Sequence, residues 1–250
     1  NAVYSVIMGM LLIMVNNDME NKKIKLLVEK ILERIELVKK RDSFLFYTPR
    51  VYELTIAHKL AEYLQNLFLN YDVDIEYDKY GGDAKKELEN FKNVCTSNST
   101  DRIRPDIIVH QRGISIGNIL VVEIKDYEAS KQSRICVDEK LKRMTKRDGL
   151  FGYTIGILWM FGKHNPVEGP HEFLFYVDGI SYENVDLVIA KLGEYENKCN
   201  KCFDNVKKLV SDLKENYKKE EQQGLQKEAE RDQEAHEYGL VESPHFIELD

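Results

Sequence analysis

The sequence predicts an α/β protein with a mixed α+β sheet and helical extensions at both ends of the chain. An amphipathic helical segment precedes three strand-like runs, a basic helical segment follows them, and an almost wholly apolar run then predicts a further strand. Helices and strands alternate in this way when helices cover the faces of a sheet. A chain of 250 residues is long enough to bury one sizeable core and to carry an appendage.

The N-terminal region contains an apolar segment followed by an amphipathic helix. Residues 1–18 are largely apolar, but they are too short to span a bilayer and lack a basic start. Because Met19–Lys23 resembles a natural protein beginning, we expect residues 1–18 to be a non-native start or an extra segment, with a membrane anchor as the alternative. Residues 19–48 are predicted to be helical, since apolar residues recur at helical spacing from Lys22 to Lys40.

The predicted core covers residues 49–181 and begins with a helix. Thr48 and Pro49 form a suitable helix start, and an apolar stripe continues to Phe68. Two glycines between the second and third strands indicate a hairpin connection. After the first helix, the predicted core elements are the strands Tyr71–Tyr77, Arg104–His110 and Asn118–Lys125, the helix Asp138–Arg147, and the strands Phe151–Phe161 and His171–Asp178.

The other segments are polar or highly charged. Residues 79–101 are predicted to form a long excursion with one short helix over Ala84–Phe91. Residues 182–219 are predicted to form two helices whose apolar stripe suits packing on the core or on a second subunit. Residues 220–250 form an acidic tail, which as a polyanion is hypothesised to occlude a nucleic-acid site.

Two carboxylates and a lysine lie at the ends of two strands that are predicted to pair. Asp106 precedes one apolar run, and Glu123-Ile124-Lys125 ends the next, so antiparallel pairing brings Asp106 beside Glu123. Asp106, Glu123 and the backbone carbonyl of Ile124 are predicted to hold Mg²⁺, which prefers oxygen ligands, and Mn²⁺ is expected to substitute. Lys125 is predicted to orient or deprotonate the attacking water or to stabilise negative charge. The alternative interpretation is a solvated strand end.

With Pro105-Asp106 followed by Glu123-Ile124-Lys125, residues 49–162 resemble the PD-(D/E)xK superfamily of restriction-endonuclease-like nucleases. The resemblance implies a core of helix, three antiparallel strands, helix and strand, together with metal-dependent phosphodiester hydrolysis. Members often carry a further glutamate on the first helix. Glu53 is the candidate for that role, because Glu62 falls on another part of the helical wheel; an acid that simply favours the helix N-terminus is the equal alternative for Glu53.

The resemblance implies a DNA endonuclease of the restriction, defence or repair type. A non-catalytic nucleic-acid-binding or assembly module, or a subunit active only within a complex, is the alternative function. RNA stays open as a substrate, as does a homodimer or larger complex formed through the terminal helices. No membrane partner is expected.

The charge distribution is compatible with a nucleic-acid partner despite a net charge of -7. The acidic tail accounts for -8, and residues 128–147 have a local excess of positive charge. The basic side chains of the second core helix are predicted to contact phosphates, with a solvated helix face as the alternative. These residues are Lys140, Lys142, Arg143, Lys146 and Arg147.

The four cysteines predict a reduced, cytoplasmic protein rather than a disulfide framework, because they are few for a chain of this length. Cys199 and Cys202 form a CxxC pair within a charged helical stretch. A zinc or iron–sulfur site would require Cys95 and Cys136 to converge with that pair.

Overall fold

The computed structural model describes residues 25–47, 53–79, 85–95, 101–113, 117–162, 171–196 and 211. Asn1–Val210 form one compact unit, and residue 211 is the one described member of a second unit, Ser211–Asp250. Several predictions concern residues outside the described ranges. They are the apolar segment 1–18, the Thr48–Pro49 helix start, the CxxC pair, the last predicted helix (of which residue 211 is described) and the acidic tail. No helix among the described residues is long and apolar enough to cross a membrane.

The structure is a six-stranded mixed sheet with helices, which confirms the predicted α/β class. The elements in chain order are α1 (25–41), α2 (Phe44–Tyr47), α3 (Glu53–Leu67), β1 (Asp72–Ile75), α4 (Phe91–Val94), β2 (Ile107–His110), β3 (Leu120–Asp126), α5 (Lys131–Thr145), β4 (Ile155–Phe161), β5 (Glu172–Val177), β6 (Ile180–Tyr182) and α6 (Val185–Glu196). The strands lie in the order β1-β2-β3-β4-β5-β6. Only β3 and β4 pair in parallel; the other neighbours are antiparallel.

The strands β3 and β4 form the centre of the sheet, since β4 has no charged residue and β3 is apolar up to Glu123. Every residue of β4 is buried, and so is every residue of β3 except Lys125. Such runs are typical of strands covered on both faces. Parallel neighbours require a crossover connection, which α5 provides between them.

Helix α5 begins seven residues before the predicted start at Asp138. Its N-cap is Ser130, whose side chain accepts a hydrogen bond from the backbone N–H of Ser133 at 3.1 Å. A serine in this position satisfies one of the unpaired N–H groups of the first turn. The added turns place Cys136 and Val137 against the sheet.

The excursion after β1 differs from its prediction in two ways. The helix predicted at Ala84–Phe91 is not formed by the described residues before Phe91. Two of them form isolated β-bridges instead, Lys85 with Lys79 and Glu87 with Arg102. The short helix α4 starts only after Asn90, whose φ of 58° belongs to the left-handed region. Cys95, directly after α4, forms a disulfide with Cys136 of α5, with Cα atoms 5.1 Å apart. The expectation that these two cysteines are reduced is therefore wrong for this structure.

The strand β6 was not predicted, although the sequence contains its signal. Asp178 and Gly179 connect β5 to β6, and both have positive φ, at 51° and 76°. An Asp-Gly pair with this geometry is typical of tight hairpin turns.

The two sides of the sheet are packed by different helices. On one side, Ile108, Val121 and Leu158 belong to a core cluster with residues of α5. On the other side, Phe46 of α2 packs on Trp159 with ring centroids 6.0 Å apart, while α3 contacts β1 and β3. By strand alternation, Glu123 and Lys125 share the α5 side with Val121.

Candidate active site

The pairing of β2 with β3 brings the two predicted metal-binding carboxylates to the same end of the sheet. Ile107 lies opposite Val122, so Asp106 precedes β2 at the point where Glu123 follows in β3. Asp106 Oδ2 accepts a hydrogen bond from the backbone N–H of Ile124 at 2.7 Å. This bond ties the Asp106 carboxylate to the neighbouring strand.

Glu123 is a buried carboxylate with one direct cationic partner among the described residues. Its side chain is 1% exposed, and Lys140 Nζ of α5 lies 2.7 Å from both carboxylate oxygens. Burial raises the pKa of Glu123 to about 7; Lys140 opposes the shift, and the nearby Asp106 reinforces it. The burial that raises this pKa results from the central position of β3.

Lys125 is surrounded by oxygen atoms at the end of β3. Its Nζ lies 2.5 Å from Glu53 Oε2, 2.9 Å from the carbonyl oxygen of Ile124 and 3.9 Å from Asp106 Oδ2. Burial lowers the pKa of Lys125, but the carboxylates of Asp106, Glu123 and Glu53 outweigh that effect, so the pKa lies above its ordinary value. Lys125 is therefore an ammonium at neutral pH.

Glu53, the first residue of α3, connects that helix to the end of β3. One carboxylate oxygen binds Lys125, and the other accepts a hydrogen bond from the backbone N–H of Asp126 at 3.0 Å. Glu62, in contrast, pairs with Lys59 on the exposed surface of α3. Of the two glutamates considered, Glu53 is the one in contact with predicted site residues. We call Asp106, Glu123, Lys125, Glu53 and Lys140 the carboxylate–lysine cluster.

His110 lies at the opposite end of β2 and contacts none of the predicted metal ligands among the described residues. Its Nε2 is 2.9 Å from Asp74 Oδ2, and Arg112 Nε donates to the same oxygen at 2.8 Å. Burial would raise the pKa of Asp74, but the hydrogen bonds from His110 and Arg112 hold it well below its ordinary value. We call Asp74, His110 and Arg112 the Asp74 cluster.

Most of the basic residues predicted on the second core helix pair with acidic side chains, but Lys146 and Arg147 lie beyond α5, which ends at Thr145. Lys142 pairs with Asp138 at 2.7 Å and Arg143 with Glu139 at 2.6 Å, each one helical turn apart. Lys146 Nζ lies 3.4 Å from Asp148 Oδ1, and the backbone N–H of Arg147 donates a hydrogen bond to Asp178 Oδ1. Phosphate contact by Lys142, Arg143, Lys146 and Arg147 stays a prediction.

Lys140 differs from the other predicted phosphate-binding residues because it points inward. Its side chain is 12% exposed and binds Glu123. The sequence contained a signal for this placement: Lys140 lies four residues after Cys136 and four before Met144, both of which are buried. Residues at this spacing share one helix face, so Lys140 lies on the stripe that packs against the sheet.

The donor atoms of the cluster suit a divalent ion with few protein ligands. No three side chains of His, Cys, Asp or Glu within the described residues are grouped closely enough to hold a metal by themselves. The predicted set, however, is two carboxylates and the Ile124 carbonyl, and Mg²⁺ commonly takes one or two carboxylates with waters and substrate phosphates. Three carboxylates (Asp106, Glu123 and Glu53) face two ammonium groups here, which leaves one excess negative charge when all five groups are ionised.

No protein-family model, curated protein or solved structure matches this chain. Membership of the PD-(D/E)xK superfamily therefore stays a prediction from the motif.

Proposed function

We propose that this chain is a metal-dependent nuclease of the PD-(D/E)xK type, with a restriction-endonuclease-like core and DNA as its substrate. The observation that carries the proposal is the convergence of Asp106, Glu123 and Lys125 at one end of two adjacent strands. The order α3, β1-β2-β3, α5, β4, with β1 to β3 antiparallel, supports it further. A fold used only for binding has no need of a buried acid beside a second acid.

The reaction that this cluster suits is hydrolysis of a phosphodiester. A water oxygen forms a bond to phosphorus and loses a proton to solvent, the bond between phosphorus and one ester oxygen breaks, and the departing oxygen takes up a proton from solvent. Mg²⁺ held by Asp106, Glu123 and the Ile124 carbonyl would supply Lewis acidity and lower the pKa of a water molecule. Mn²⁺ has compatible ligand preferences and is expected to substitute.

Lys125 acts in this proposal as a positive charge rather than as a base. Its raised pKa keeps it protonated at neutral pH, so it stabilises the negative charge that develops on the phosphate oxygens. Glu53 holds the ammonium in place through its bond to Lys125 and holds the strand through its bond to the Asp126 N–H. The role of Glu53 is thus to position Lys125.

The experiment that tests the proposal is cleavage of supercoiled plasmid, single-stranded DNA and RNA with Mg²⁺ or Mn²⁺, compared with EDTA. Asp106→Ala and Lys125→Ala should each reduce the metal-dependent rate by about a hundredfold or more, since each removes a charge aligned with the transition state. Asp72→Ala is the matched control, because Asp72 pairs with Arg112 away from the cluster. It should cleave within about twofold of the wild type.

Two results would contradict the proposal. One is that the wild type cleaves none of these substrates with either metal, and the other is that Asp106→Ala cleaves as fast as the wild type. Cleavage of RNA alone would keep the reaction and change the substrate.

The second candidate function is a non-catalytic binding or assembly module. The observation that favours it is that Lys140 and Lys125 already neutralise Glu123 and Glu53 without a metal. Such a module would bind DNA equally well in EDTA and in Mg²⁺ and would leave it intact.

A further inference from the structure

The contact between Lys140 and Glu123 joins a helix to the sheet at the point where the predicted metal ligand is buried. Lys140 Nζ is equidistant from the two Glu123 oxygens, at 2.7 Å, and lies 3.3 Å from the carbonyl oxygen of Arg104. The side chains are 12% and 1% exposed. An ion pair this deeply buried is set by the packing of α5 on β3 and is little screened by solvent.

Among the described residues, no other cation makes an ion pair with Glu123. Lys125 pairs with Glu53, and Lys142, two residues after Lys140, pairs with Asp138 on the surface of α5. Arg143 pairs with Glu139. The ammonium of Lys140 therefore contacts the carboxylate oxygens that a divalent ion would need.

We propose that Lys140 is a positioning residue that acts as the built-in counter-cation of Glu123 and competes with the divalent ion for this carboxylate. Lys140 holds Glu123 in place in the metal-free protein and gives up at least one of its oxygens when a metal binds. The affinity of the site for divalent ions is consequently lower than its carboxylates alone would set. This inference rests on the proposed function, because it assumes that Glu123 is a metal ligand.

The test is a calorimetric titration of the full-length chain with Mn²⁺ at pH 8 in the absence of nucleic acid, so that a proton on Glu123 does not replace the missing ammonium as the competitor. Lys140→Met keeps much of the side-chain volume and removes the charge, so it should bind Mn²⁺ about tenfold tighter or more, since close charge pairs are coupled by at least this factor. Lys140→Arg keeps the charge and should stay within about threefold of the wild type.

Lys142→Met is the matched control for the loss of one positive charge on α5. The lysine it replaces forms an ion pair on the helix surface with side chains that are 37% and 34% exposed. Exposed pairs of this kind contribute little, so Lys142→Met should bind Mn²⁺ within about twofold of the wild type.

Thermal unfolding keeps the inference testable where Lys140→Met is unstable. Removing Lys140 leaves Glu123 buried and unpaired, so the variant should melt below the wild type in EDTA. Mn²⁺ should then raise its melting temperature by more than that of the wild type, because a ligand stabilises the folded state more when it binds more tightly. A variant that folds only when Mn²⁺ is added would equally support the inference.

The possible failures of this inference and of the proposed function are distinguishable. If the wild type binds Mn²⁺ and a folded Lys140→Met binds it equally or more weakly, the inference is wrong and the proposed function stands. An unfolded Lys140→Met that Mn²⁺ does not rescue also overturns it. If the wild type binds no Mn²⁺, the proposed function itself is wrong, and the inference with it.

Discussion

A cluster of acidic and basic side chains lies at each end of strand β2, and the two clusters differ in the balance between negative and positive groups. In the Asp74 cluster, one carboxylate with 14% side-chain exposure receives hydrogen bonds from His110 and Arg112. The pKa of Asp74 lies well below its ordinary value, so the folded state favours its charged form. A carboxylate in this environment stabilises the fold.

The carboxylate–lysine cluster has the opposite balance. Its carboxylates outnumber its ammonium groups, and burial raises the pKa of Glu123 to about 7. The folded state thus disfavours the charged form of Glu123, and a further cation beside it would favour that form. Acids and bases lie together in both clusters, so the sign of the pKa shift and the charge balance are what make the carboxylate–lysine cluster the candidate site.

The largest difference we expect between the two clusters is in stability. Asp74→Ala leaves His110 and Arg112 without their shared acceptor and should lower the free energy of unfolding by about 3 kcal/mol. Asp106→Ala, measured in EDTA, should lower it by less than about 1 kcal/mol. Relief of repulsion with Glu123 offsets the lost hydrogen bond from the Ile124 N–H, and Lys125 keeps Glu53 as its ion-pair partner when Asp106 is removed. Urea denaturation of both variants at pH 7 measures the difference. Equal losses would show that the clusters do not differ in this way.

The second expected difference is an opposite dependence of stability on pH. Glu123, with an ordinary pKa of 4.5 and a folded-state pKa of about 7, retains its proton between these values when the unfolded chain has lost it. Its contribution to stability therefore falls as pH rises from 4.5 to 7, by about 1.4 kcal/mol per unit at most. Glu123→Gln removes this dependence. As pH rises from 4.5 to 7, the free energy of unfolding of the variant should therefore increase relative to that of the wild type.

Asp74 should show the reverse behaviour. Its folded-state pKa lies below the ordinary value of 3.8, so its stabilising effect is complete above that pH and is lost as pH falls further. The deficit of Asp74→Asn relative to the wild type should therefore be larger at pH 5 than at pH 3, because it shrinks as Asp74 is protonated. Urea denaturation of both variants in EDTA across pH 3 to 8 tests the pair. Slopes of the same sign for the two variants would contradict the comparison.

The smallest expected difference is in activity. Glu53→Gln removes the ion pair that positions Lys125. It should reduce metal-dependent cleavage about tenfold, equivalent to about 1.4 kcal/mol in the activation free energy. His110→Gln removes an imidazole of the Asp74 cluster and should leave the rate within about twofold. Single-turnover cleavage at saturating Mg²⁺ separates the two. A larger loss of cleavage rate for His110→Gln than for Glu53→Gln would indicate that the active site lies at the His110 end of β2.

Much of the fold could be predicted because it depends on local pattern. The apolar run that precedes Glu123 and the glycines before it predicted adjacent strands, and the register confirms that β2 and β3 pair with Asp106 and Glu123 at the same end. The predictions differ from the structure where a cap or a turn residue changes the bounds of an element. The cap at Ser130 lengthened α5, the left-handed Asn90 stands before α4, and the Asp178-Gly179 turn produced β6.

The pairing of neighbouring strands and the strand-end position of the carboxylates follow from local sequence, because alternation and short connections are properties of nearby residues. The partners of these side chains depend on contacts between distant segments. Lys125 meets Glu53 across 72 residues, His110 meets Asp74 across 36, and Cys95 meets Cys136 across 41. Lys140 reaches Glu123 only because α5 packs against β3 with its buried stripe inward. Contacts of this kind arise from the relative placement of helix and sheet, which minimises exposed apolar surface over the whole core and which no single segment specifies.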